Sequence, residues 1–459
     1  MTSLDLDFLK PDPERRGRIL PILDAALAAV EPATVVNRAV DWQEDALAVA
    51  GKRYALDGFE RVVALAFGKA ATPMAQAVRD GLGLRLDHGL VITKYGHGPG
   101  DPASLAPLAV VEAAHPTPDA QGVAAVRRAV ETIVRLGPND LLITLISGGG
   151  SALLTLPASG LTLDDLQRTT DLLLACGAAI HEINAVRKHL SQVKGGQLAH
   201  LAHPAALLSL ILSDVVGNPL DAIASGPTAP DPTTWADAWT VIQKYSLENV
   251  LPAAVRDHLL AGLAGRLPDT PKPGDPIFQR VHNVIVGDNA IAAEAARRAA
   301  EAQGFHAAIL STFVQGEARE VAQVLVALGR EIVARNRPLS PPACLILGGE
   351  TTVTLRGAGQ GGRNQELALA AGVALARVPE AAPIVILSLG TDGTDGPTDA
   401  AGGVADAATV ARGWALGLDA LAHLEHNDSH PYLKAVHDLL ITGPTCTNVN
   451  DLMIIFVFS

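Results

Sequence analysis

Ser147-Gly148-Gly149-Gly150-Ser151 carries the clearest chemical signal in the chain, because it follows the apolar run Leu141–Ile146 and precedes another apolar stretch. Consecutive glycines let backbone N–H groups converge on an anion, and a following helix adds partial positive charge. The bland alternative is a tight strand-to-helix turn that needs glycine for packing alone. Gly68-Lys69 resembles the end of a phosphate-binding GxxxxGK[ST] loop, but Val63 stands where the first glycine belongs and Ala70 replaces Ser/Thr. Lys69 remains a candidate point charge for phosphate oxygens, or a solvated lysine. Asp214 ends the apolar run ALLSLILSD, where a carboxylate can bind metal, accept a proton or cap the next turn. Asp392 and Asp395 lie in the loop GTDGTDG, whose hard oxygens suit Mg²⁺ with part of its water shell, Ca²⁺ less well, or a structural Asx turn.

Gly357, Gly359 and Gly362 satisfy GxGxxG, which opens a dinucleotide reading. The preceding TTVTLR alternates polar and apolar, and Arg363-Asn364-Gln365-Glu366 is bulky where close packing wants small side chains. The segment therefore reads as a flexible or ligand-wrapping loop that presents Arg363. His115, in HPTPD, could face a cleft, whereas His181, His189 and His200 read as surface residues on helices. No HExxH or GxSxG arrangement supports a zinc protease or a serine hydrolase.

The elements that must position these residues recur as a unit: an apolar run, a turn bearing Gly or Asp, then an Ala/Leu-rich amphipathic stretch. Examples are Val62–Phe67, Leu141–Ile146, Ala206–Leu212, Val284–Val286, Leu345–Leu347 before Gly348-Gly349-Glu350, and Ile384–Leu389. Such alternation predicts an α/β protein with parallel sheets covered on both faces and ligands beyond the strands' carboxyl ends. The Pro/Gly/Asp cluster at 267–276 suggests domains at 1–273 and 274–459. Thr351–Arg356 predicts a half-exposed strand, so the second sheet should be mixed.

The 459 residues exceed what one core serves, and 48% apolar with 18% charged residues fits a compact chain. A formal charge of -13 argues against nucleic acid as a partner. Cys176, Cys344 and Cys446 are widely spaced, which implies a reducing compartment. No apolar stretch reaches the roughly 18–20 residues of a membrane helix. The expectation is a soluble, cytoplasmic protein that binds no membrane.

Taken together, AFGKAA (66–71), HPTPD (115–119), ISGGGSALL (146–154) and LSDVVGNPLDAIASGPT (212–228) resemble the glycerate 2-kinase family with a C-terminal MOFRL domain. The resemblance continues through LGGETTVTLRGAGQGGRNQELAL (347–369), LGTDGTDGPTDAAGG (389–403) and TGPTCTNVNDL (442–452). It departs at Cys446, where glycine is usual, and in the tail IIFVFS. It implies ATP-dependent phosphorylation of D-glycerate to 2-phosphoglycerate with Mg²⁺, on two non-identical three-layer α/β/α domains with the site between them. Carried over by position, Lys69, Asp214 and Arg363 are expected to be catalytic. Ser147, Gly148, Gly149, Gly150, Ser151, Gly349, Glu350 and Asn364 are expected to bind substrate or nucleotide, with Asp392 and Asp395 holding the metal. Self-association is left open. The competing readings are an NAD(P)H-dependent hydroxypyruvate reductase, which needs the 357–362 glycines for its cofactor, and a non-enzymatic sugar-acid-binding regulator.

Overall fold

The computed structural model describes residues 12–378 and 380–459. They form two compact units: Pro32–Val286, and the described residues up to Glu31 together with Gly287–Ser459.

In the first unit, β1 (Val40–Trp42), β2 (Ala46–Val49) and β3 (Lys52–Ala55) make a small antiparallel meander. The main sheet contains β4 (Arg61–Phe67), β5 (His88–Lys94), β6 (Leu108–Ala113), β7 (Asp140–Ile146), β8 (Ala206–Leu212) and β9 (Val281–Gly287). Its order is β6-β5-β4-β7-β8-β9, and the four pairings from β6 to β8 are parallel. All seven residues of β7, DLLITLI, are buried, as its nearly continuous Leu/Ile content requires of a strand covered on both faces. Phe67 pairs with Ile146, and Ile146 with Ile211, so β4, β7 and β8 end almost level and release their loops at one edge. A helical subdomain, including Leu163–Ala175, Ile180–His189, Trp235–Lys244 and Ala253–Leu263, packs around Trp235, Val186 and Leu173.

The second unit is built on β10 (His306–Glu317), β11 (Ala343–Thr352), β12 (Ile384–Gly390), β13 (Gly402–Asp406), β14 (Leu439–Leu440) and β15 (Asp451–Val457), ordered β10-β11-β15-β12-β13-β14. Only β10–β11 is parallel, so the sheet is mixed, as expected. The tail strand β15 lies centrally, fully buried and antiparallel to β11 and β12. Helices Ala318–Arg335 and Arg363–Leu375 bury Leu325, Ile332, Leu367 and Leu369 against it.

Three local expectations change. The units part at Val286/Gly287 and not at residue 273, because β9 extends the first sheet beside β8. The leading helix, Pro13–Ala29, joins the second unit, where Arg18 stacks 4.1 Å from the Phe305 ring centroid and donates to the Gln303 carbonyl at 3.0 Å. Gly348-Gly349-Glu350 is not a turn but lies inside β11, and Thr351–Arg356 is no separate strand, since β11 ends at Thr352. A Cβ at Gly349, whose φ is +147°, would lie 2.0 Å from the Val314 carbonyl oxygen, where the β10–β11 register is irregular; only glycine permits that approach. No single helix among the described residues is long and apolar enough to cross a membrane.

Candidate active site

At the carboxyl edge of the parallel sheet, Gly68 adopts φ +125° and fits directly over Ser147, whose hydroxyl would lie 2.2 Å from any Cβ at that position. The two strand-end loops are stitched together: Lys69 N–H donates to the Gly148 carbonyl at 2.8 Å, and Ala70 N–H to Ser147 Oγ at 3.1 Å. Gly149, at φ +82°, is walled by His115 and Lys69, 3.0 and 3.4 Å from where its Cβ would be. The Ser151 and Ser225 hydroxyls are 2.9 Å apart, and Ser225 donates to Asn184 at 3.0 Å. The serines of the turn thus fasten the protein to itself, and the glycine backbone is what the turn offers a ligand. Asp214 follows β8 at the same edge, half-buried.

This edge carries a positive field. Burial lowers the His115 pKa to about 4, and Lys69, Lys94 and His97 push it the same way. Lys94 ends β5 and His97 bonds the Lys69 carbonyl at 3.2 Å, so both belong to the cluster, although sequence reasoning singled out neither.

In the second unit, Arg363 is the first residue of helix Arg363–Leu375. Its guanidinium grips Asp451 with Nε–Oδ2 and Nη2–Oδ1 contacts of 2.5 and 2.9 Å, and Nη1 lies 3.2 Å from Glu350. Asp451 is fully buried and faces Gly349 on β11 and Gly390 on β12, two positions without side chains to crowd it. Burial opposes the guanidinium's charge, but the Asp451 hydrogen bonds more than offset it and raise the Arg363 pKa. Sequence reasoning missed Asp451; the available signal was a carboxylate opening the wholly apolar run LMIIFVF. Glu350 is raised by burial and by the negative charges of Asp451 and Asp392, against the pull of Arg363. A cavity of about 740 Å³ lies here, lined by Glu350, Gly357, Gly362, Arg363 and Asp395.

Asp395 has a different job from the one its spacing suggested. It is 3% exposed, and its oxygens accept from the Asn364 and Gln365 backbone N–H groups at 3.1 and 2.9 Å and from both side-chain amides. It caps the helix that starts at Arg363, with burial raising its pKa to about 6. Asn364 is likewise buried, held between Asp395 and the Ser388 hydroxyl, so it braces the site from behind. Asp392 is half-buried and accepts from Thr394 N–H and Oγ1–H at 3.1 Å. No group of three or more His, Cys, Asp or Glu among the described residues is arranged around a metal position. Asp392 and Glu350 supply the hard carboxylate oxygens that fit Mg²⁺ in company with a phosphate ligand; Asp395, with both oxygens engaged, does not.

The GxGxxG segment, expected as a flexible or ligand-wrapping loop, lines the cavity of about 740 Å³ and is held by side chains of a neighbouring segment. Asn427 Oδ1 accepts from Arg356 and Gly357 N–H at 2.6 and 3.1 Å, and Asp428 Oδ1 from Gln360 N–H at 2.8 Å. A Cβ at Gly357 or Gly359 would lie 2.5 Å from the His426 carbonyl oxygen, and one at Gly362 would lie 2.3 Å from Asp395 Cγ. These glycines admit the protein's own backbone. His189, expected on the surface, is buried against Asp269 at 2.9 Å.

A parallel sheet edge with a glycine nest and basic side chains, and a mixed sheet presenting an arginine among carboxylates, define an α/β enzyme equipped for anionic substrates. A family model described as "Domain of unknown function (DUF4147)" matches residues 18–260, and one described as "MOFRL family" matches 343–451. The chain is 43% identical over 441 residues to the glycerate 2-kinase of Pyrococcus horikoshii, covering 96% of this chain and 97% of that one. It is 44% identical over 395 residues to the D-glycerate 2-kinase of Thermotoga maritima, covering 86% and 90%. The crystal structure of the Thermotoga maritima glycerate kinase superposes with a TM-score of 0.84 at 40% identity, covering 97% of this chain and 100% of that one. The chain belongs to the glycerate 2-kinase family with a MOFRL domain.

Proposed function

We propose that the protein transfers the γ-phosphoryl group of ATP to the 2-hydroxyl of D-glycerate, releasing 2-phosphoglycerate and ADP. The observation that carries this reading is the level ending of β4, β7 and β8, which sets Lys69, the Ser147–Ser151 turn and Asp214 along one edge. Phosphoryl transfer asks mainly for positioning and charge stabilisation, and that edge offers backbone donors in a positive field. Asp214 orients the C2 hydroxyl and takes its proton as the new O–P bond forms and the bond from the γ-phosphorus to the β–γ bridging oxygen breaks. Lys69 and Arg363 are the cations that neutralise the moving phosphoryl group and the substrate carboxylate. Arg363 is suited to the role because Asp451 locks its fork before any ligand arrives. Mg²⁺, when bound with the nucleotide, would neutralise phosphate charge, and Asp392 and Glu350 are the residues that would hold it.

The test is ADP release with D-glycerate as acceptor, with the product's phosphate position assigned by phosphorus NMR. Failure to consume ATP at any magnesium concentration overturns the reading. Asp214→Asn should lower kcat by about a hundredfold or more, in line with the loss of a positioned base. An Asn variant that keeps most of its kcat removes the proton-acceptor role.

A further inference from the structure

Helix Ile180–His189 ends in three consecutive basic residues, Arg187, Lys188 and His189, which are treated differently. Lys188 lies 3.2 Å from each of Asp221 and Asp231, and His189 lies 2.9 Å from Asp269. Arg187, partly buried, has no hydrogen-bond acceptor or carboxylate partner among the described residues. Beside it Lys194 is 2% exposed, and its Nζ meets only carbonyls, those of Ser151 at 2.5 Å and Leu154 at 2.8 Å. Burial and the charge of Arg187 both depress the Lys194 pKa, so the two groups already repel. In a chain with a net charge of -13, two adjacent inward cations without a carboxylate mark a place where the anion comes from outside. Asp171 on the rim of the same space is exposed and makes no ion pair with Arg187.

Arg187 and Lys194 line a cavity of about 250 Å³ with a mixed wall, in which Leu166, Ile183 and Leu190 form an aliphatic part beside the polar Thr155, Gln167 and Thr170. Pro116–Pro118 of the His115 loop closes one side, tied there by Gln167 Nε2 donating to the Pro118 carbonyl at 2.7 Å. Through the Lys194–Ser151 contact the cavity abuts the back of the Ser147–Ser151 turn. A three-carbon hydroxy acid is polar throughout and would leave the aliphatic part of the wall unmatched. A ligand with a flat, weakly polar ring at one end and phosphates at the other matches both the wall and the cations.

We propose that this cavity seats the adenine nucleotide, its phosphate chain on Arg187 and its base against the aliphatic part of the wall. The assignment rests on the kinase reading and adds the position of the nucleotide to it. The test is calorimetric titration of ADP, D-glycerate and inorganic phosphate into the full chain, alongside KM for each substrate. Arg187→Leu should weaken ADP binding and raise KM for ATP by about tenfold or more, with KM for D-glycerate changed by less than about twofold; Arg187→Lys should recover part of the loss. Leu174, 60% exposed at the mouth, can be changed without disturbing the core, and Leu174→Glu should weaken ADP in the same selective way even if Arg187→Leu misfolds. Unchanged ADP affinity in Leu174→Glu and in any folded Arg187 variant overturns the assignment while leaving the kinase reading intact. A loss confined to D-glycerate overturns it as well, by giving the cavity to the acceptor. Wild-type protein that binds no ADP sinks both readings together.

Discussion

The two sheets solve opposite electrostatic problems. At the edge of the parallel sheet, burial holds His115 neutral well below its ordinary range, and the basic Lys69, Lys94 and His97 push the same way. At the mixed sheet Arg363 is set among Glu350, Asp392 and Asp451; burial pushes Glu350 upward against the pull of Arg363, and the two aspartates add to the rise. The first gathers Lys69, Lys94 and His97 around His115. The second carries its own counter-charge, and the Asp451 carboxylate sets the direction of the Arg363 fork. A phosphotransferase needs both kinds of cation, one that gathers a polyanion and one whose direction is set in advance.

The most severe way to break this contrast is to remove the cations themselves. Lys69→Ala and Arg363→Ala should each lower kcat/KM by about a thousandfold, without loss of folded protein by circular dichroism. Near-normal turnover in either variant would exclude that residue from catalysis. Asp451→Asn attacks the self-contained side, because it leaves Arg363 without its bidentate partner. We expect a stability loss on the order of 3 kcal/mol in denaturant titrations and a fall in kcat larger than any rise in KM. If Arg363 were merely structural, stability alone would change.

A finer division is expected between the two aspartates of GTDGTDG. Asp395→Asn should cost about 1–2 kcal/mol of stability as a weakened cap, with the magnesium concentration for half-maximal rate unaltered. Asp392→Asn should raise that magnesium requirement and leave stability nearly unchanged. An exchange of these outcomes would return the metal role to Asp395. A last test, on stability alone, concerns His115. An unfolded imidazole titrates near ~6.5, so the unfolded chain takes up this proton before the folded one does. Its contribution to stability is complete above that pH and is lost as pH falls toward about 4. His115→Gln should flatten the stability profile in that window, by at most about 1.4 kcal/mol per pH unit. A profile that keeps its wild-type slope would mean that burial and the neighbouring charges act on His115 less than the geometry indicates.

Much of the first unit was legible because its signals are local. An apolar run buried on both faces ends in a glycine or polar turn, and Lys69, Ser147–Ser151 and Asp214 all sit at such endings. The second unit was legible in outline, as a mixed sheet containing Arg363. Its details were hidden, because Gly349 resembled a turn but serves a strand irregularity, and the GxGxxG glycines resembled a cofactor loop but admit neighbouring backbone. Asp395 was noticed for its carboxylate, yet the helix N-terminus that claims it begins 32 residues earlier in the chain, at Arg363.

What the sequence by itself determined is the set of strand-ending turns, the α/β alternation and the family, since each depends on neighbours a few residues apart or on motif order. Only the tertiary structure decided the partners: Asp451 with Arg363 across 88 residues, the leading helix with the second unit, and, among the described residues, no carboxylate for Arg187. The physical reason is that a charge's role depends on what lies within a few ångströms of it. For buried groups, strand order and register set that surrounding, and neither is written in the spacing of residues along the chain.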